Sequence, residues 1–81
     1  MNVSVMLCEV TQEHAIYGYR IDKTDGDMGY VKLYFHDGSY EVPVLAVSET
    51  GRGDGAALAL RCMQHFLKKG YFPLEWNSLL L

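Results

Sequence analysis

Cys62 and His65 stand three residues apart, a spacing that on a helix brings a thiol and an imidazole to one face, the minimum for an activated thiolate. No carboxylate stands nearby to orient the imidazole, and nothing adjacent offers an oxyanion site, so the pair does not amount to a hydrolase. Asp22, Asp25 and Asp27 suggest a calcium loop, but the helix-flanked loop needs oxygen ligands at its first, third and fifth positions, glycine at the sixth and glutamate at the twelfth. Counted from Asp22, the third is Thr24, the sixth Asp27 and the twelfth Leu33, which reads instead as a solvated acidic turn. His14, His36 and His65 lack the paired spacing of a zinc site.

Gly51-Arg52-Gly53-Asp54-Gly55 opens a helix and so suggests a phosphate cradle, where backbone N–H groups and the helix dipole favour an anion. No Walker lysine follows, and Asp54 puts negative charge where the anion would lie. The segment reads better as a strand-to-helix connection with Asp54 as N-cap. Arg52-Gly53-Asp54 also spells an adhesion tripeptide, a coincidence in a chain without a secretion signal. The sequence thus predicts no enzyme, no metal and no cofactor.

The elements that must hold these residues are short. Residues 2–11 and 14–22 read as strands joined by the hairpin-sized link Thr11 to His14. Symmetric pairing about Gln12-Glu13 sets Val10 against Ala15, Cys8 against Tyr17 and Met6 against Tyr19. It leaves Val3, Val5 and Leu7 on the opposite face with Ile16 and Arg20, so that β-strand is expected to be buried on both sides. A second hairpin, Tyr30 to His36 and Ser39 to Val47, turns at Asp37-Gly38. Its expected pairs are Phe35 with Tyr40, Leu33 with Val42 and Val31 with Val44. Pro43 has no N–H, which favours a four-residue loop over His36 to Ser39 and a place at the sheet edge.

Between Asp54 and Gly70, Ala56, Ala59, Leu60, Met63, Phe66 and Leu67 form one helical stripe, with Lys68 and Lys69 in the last turn. The tail from Tyr71 to Leu81 is apolar enough to need a cover, either the outer sheet face or a second chain, and a homodimer follows if it does not fold back. The fold class expected is α+β, a four-stranded antiparallel meander with one C-terminal amphipathic helix on one face, followed by that tail, in a single domain over residues 1–81.

At 81 residues the chain has room for one core. Its composition, 49% apolar and 21% charged, is that of a globular protein rather than a disordered one. The formal charge of -3, with acids concentrated in turns, disfavours direct nucleic-acid binding and favours a basic partner. The N-terminus lacks a cationic leader and no run approaches a membrane span, so a cytoplasmic protein is expected. Cys8 and Cys62 read as small buried hydrophobes.

The order hairpin, glycine-rich loop, alanine-rich helix resembles the last strands and helix of the double-stranded RNA-binding domain. That family opens its helix with phosphate-holding lysines, where this chain has Asp54-Gly55-Ala56-Ala57. HicB-type antitoxins are similar in outline. The stretch Gly55-Ala56-Ala57-Leu58-Ala59, then Met63-Gln64 and Gly70, resembles a small phage-encoded anti-CRISPR protein, a type I inhibitor, over about a quarter of the chain. The resemblance implies a stoichiometric inhibitor that docks on a basic Cas subunit and blocks nucleic-acid access. In that reading Asp22, Asp25 and Asp27 steer the encounter, and Tyr30 and Tyr34 anchor it. The competing reading is a nucleic-acid or nucleotide binder using Arg52 with the glycine loop, or Tyr side chains stacking bases beside Lys32 and His36.

Overall fold

A computed structural model describes residues 2–21, 28–46 and 53–80. It shows an α+β fold: β1 (Val3–Val10), β2 (His14–Ile21), β3 (Gly29–Tyr34), β4 (Tyr40–Val44), α1 (Asp54–Lys69) and β5 (Glu75–Asn77), followed by a 3-10 turn over Ser78–Leu80. The strands form one antiparallel sheet in the order β4-β3-β2-β1-β5, with α1 packed on one face. The sheet therefore has five strands rather than the expected four, and the helix precedes the last strand instead of ending the fold.

The first hairpin departs from symmetric pairing at one residue. Val10 faces Ala15 and Glu9 faces Ile16 as expected, but Leu7 faces Tyr17 and Val5 faces Tyr19, because Cys8 is an extra residue in a bulge. Side chains alternate along a strand, so a slip of one exchanges the faces of everything beyond it. Val3 and Val5 are buried under the helix, with Leu7 packed beside them, and they do not form an outer apolar face. Ser4 and Met6 take the outer face instead. Cys8 is exposed, contrary to expectation, while Cys62 is fully buried.

The second hairpin differs by two residues rather than one. Leu33 faces Tyr40, and the connection is a four-residue loop over Phe35 to Gly38, closed by Tyr34 N–H to the Ser39 carbonyl at 2.9 Å. Gly38 has φ 74°, and Asp37 accepts the Ser39 N–H at 2.9 Å; hydrogen bonding from the Ser39 side chain, and then from its backbone, holds the Asp37 carboxyl below its ordinary pKa. A shift of two leaves the faces unchanged. Farther along, Tyr30 faces Val44, so Val42 and Pro43 together oppose Val31. The bulge accommodates the proline, and β4 lies at the sheet edge as expected.

The helix ends at Gly70, whose φ of 85° lets its N–H reach the Phe66 carbonyl at 2.8 Å. Its start differs from expectation. The N-cap is Gly53, with φ 69°, and Asp54 is the first helical residue, favourable there for its charge rather than for a capping bond. Ala56, Ala59, Cys62, Met63 and Phe66 meet Tyr17, Tyr19, Val31 and Leu33 in the core.

The C-terminal segment extends the sheet beside β1 rather than lying across its outer face. Trp76 faces Val5, Leu7 donates to the Leu74 carbonyl at 2.8 Å, and Ser78 Oγ accepts the Val3 N–H at 2.9 Å. Tyr17 donates its hydroxyl to the Pro73 carbonyl at 2.5 Å, and Trp76 meets the Phe66 ring edge-on at 5.4 Å. The condition attached to the expected homodimer, a tail that does not fold back, is not met. No helix among the described residues is long and apolar enough to cross a membrane.

Candidate functional site: the uncovered face of the sheet

With α1 on one side and β5 at an edge, the opposite face of the sheet is left open. The ladders place its side chains in rows. One runs Glu41, Lys32, Ile16, Glu9 across β4, β3, β2 and β1. The next runs Val44, Tyr30, Gly18, Met6, Glu75 across all five strands. A third holds Arg20, Ser4 and Asn77, and Tyr34 pairs with His14 at the opposite end.

Polar contacts tie the Tyr34 end together. His14 Nε2 lies 2.8 Å from Glu9 Oε2, the His14 and Tyr34 rings meet edge to face at 6.2 Å, and Tyr34 donates to Glu41 Oε1 at 3.1 Å. Lys32 Nζ stands 4.9 Å from the centre of the Tyr34 ring. The Tyr34 side chain, with Glu41 and Glu9 beyond it, holds the Lys32 ammonium above its ordinary pKa. The half-buried Lys32 is thereby matched within the chain itself.

Tyr30 and Tyr34, the expected anchors, do lie on this face, both half-buried and four residues apart on β3, with Lys32 between them. Ile16 lies with them. Val3, Val5 and Leu7, expected beside them, are on the other side, and Leu45 lines a groove against Ala56 and Leu60 of the helix. Asp22, Asp25 and Asp27 lie outside the described residues, as does Arg52. Cys62 sits in the core, where burial pushes its thiol pKa up, the reverse of what a thiolate nucleophile needs. His65 packs against the rings of Phe66 and Trp76.

The concave part of this face was not foreseen. It lies over Gly18, where Met28 folds across the sheet beside Tyr30. A glycine inside a strand marks close approach of another group, and Gly18 within His14–Ile21 is the signal that could have located it. Comparison with known proteins finds no family model, no curated protein and no solved structure that matches the chain.

Proposed function

We propose that the chain is a non-catalytic module that binds another protein through the open face of its sheet. The observation that supports this is the placement of Tyr30 and Tyr34, half-exposed beside Ile16, Met6 and Val44, on a face that neither the helix nor the C-terminal strand covers. Tyrosine and aliphatic side chains supply the anchors of protein interfaces. Three carboxylates, Glu9, Glu41 and Glu75, stand on this face against Arg20 and Lys32, and Lys32 is already engaged by Tyr34 and Glu41. That balance suits a basic protein surface better than a phosphate backbone. Asp22, Asp25 and Asp27 add steering charge to the same reading. Its specific form is a small cytoplasmic inhibitor of phage or mobile-element origin that occupies the nucleic-acid path of a partner such as a Cas subunit.

The test is titration of the chain into a purified type I CRISPR effector complex while target DNA binding is followed, beside direct titration with single- and double-stranded oligonucleotides. Stoichiometric loss of DNA binding is expected, with the joint change Tyr30→Ala and Tyr34→Ala weakening inhibition at least about tenfold while the fold persists. An inert effector complex would remove that partner. Tight oligonucleotide binding that falls steeply with salt would replace the protein-docking reading with a nucleic-acid one.

A further inference from the structure

Gly18 sits in the middle of the open face, with Tyr30 and Met6 to either side. A Cβ at this position would come 2.6 Å from Met28 Sδ and 3.4 Å from the Tyr30 ring. The bare backbone therefore lets Met28 lie across the sheet, and the result is a groove of about 430 Å³ between Met6, Met28 and Leu80, with Ser4, Arg20 and Asn77 along one side. A space of this size suits a small organic group or the end of a chain.

Arg20 decides which group. Its Nε is buried and meets no acceptor among the described residues. The neighbouring polar atoms are committed elsewhere: the Asn77 carbonyl oxygen accepts the Leu79 N–H at 2.9 Å, and its amide nitrogen points to Ser4 Oγ at 3.4 Å. A guanidinium presents its N–H groups as a planar fork that matches the two oxygens of a carboxylate. Glu75, on β5 beyond Met6, prevents the groove from being a generally positive surface, so plain anion attraction would be weak.

We infer that this groove binds a carboxylate carried on a short aliphatic stem, the Arg20 fork holding both oxygens and the stem lying beside the Met28 side chain that covers Gly18, against Met6 and Leu80. The site stands apart from the docking reading. A groove indifferent to carboxylates would leave protein docking intact, and a failed effector titration would leave the groove intact.

The test uses proton–nitrogen correlation spectra of the full chain, including the arginine Nε–H signals. The probes are isocaproate and acetyl-glycyl-leucine, each beside its amide. Saturable shifts at Arg20 Nε–H and the Gly18 amide are expected at about millimolar concentration, with the amides silent. Arg20→Lys, which keeps the charge and loses the fork, should weaken binding about tenfold, and Glu75→Gln should tighten it a few-fold. A response to isocaproate alone assigns the site to small acids, and one to the peptide alone assigns it to chain ends; both support the carboxylate site. Equal shifts with the amides, undiminished binding by the lysine variant, or no saturation with either acid would overturn it. If the lysine variant loses spectral dispersion, Met28→Trp, which fills the groove from its other wall, must abolish the shifts instead.

Discussion

Each hairpin of the sheet contains a bulge, and the two bulges have unlike consequences. The bulge at Cys8 lies inside a strand with neighbours on both sides, and it decides which half of β1 enters the core. The bulge at Val42-Pro43 lies in the outermost strand, and it leaves the faces of β3 as they were. An inserted residue matters most where the strand beyond it must still pack against something.

Deleting Cys8 breaks this comparison most severely. The restored two-residue alternation would turn Val3, Val5 and Leu7 away from the helix, and each such side chain contributes about 1.5–3 kcal/mol when buried. The loss approaches the whole stability of a small domain, about 5–15 kcal/mol, so urea titration should show no cooperative transition. Cys8→Ser, which keeps the extra residue at an exposed position, should stay within about 0.5 kcal/mol of the parent. A deletion variant with the parental midpoint would deny the bulge its role.

A smaller effect separates the two faces at neighbouring glycines. At Gly29 an added Cβ would lie 2.5 Å from Cζ of the Tyr19 ring, which is fully buried and holds the Ala46 N–H on its hydroxyl. Gly29→Ala should therefore cost about 1–3 kcal/mol. At Gly18 the obstacle is the flexible Met28 chain, and Gly18→Ala should cost less than about 1 kcal/mol. Thermal melts of the two variants would sharpen the contrast, and equal losses would contradict it.

The smallest effect concerns the tie between β2 and the C-terminal segment. Tyr17→Phe removes the hydroxyl bonded to Pro73 and should cost about 1 kcal/mol at neutral pH. Burial pushes the Tyr17 phenol well above its ordinary value of 10.0. A raised folded-state pKa gives stability that is complete below the unfolded value and is lost as pH climbs beyond it, here above pH 10. The difference between parent and Tyr17→Phe should narrow there, by at most about 1.4 kcal/mol per pH unit. A difference that stays constant through the alkaline range would show that Tyr17 does not carry the slope.

Local signals made much of the fold legible. Asp37-Gly38 announced its turn, the apolar stripe and Gly70 marked the helix, and Pro43 marked an edge. The bulge at Cys8 left no such mark, because its cause is the competition between two registers for the core. Val3, Val5 and Leu7 are more apolar than Ser4, Met6 and Cys8, and that inequality selects the slipped pairing once a helix lies on one side only. The tail was readable as a segment needing cover, whereas its place beside β1 depends on a free strand edge that exists only after the sheet has formed. Of the candidate site, Tyr30 and Tyr34 were placed by alternation along β3. The groove escaped notice because it is made by what Gly18 lacks.

Pro43 also bears on how such molecules behave in a crowd. The flank of β4 carries a residue that cannot donate to an incoming ladder, and the opposite flank is bounded by a strand of three residues. Sideways growth into fibrils therefore meets an obstacle at either end of the sheet, although the face between those ends is open.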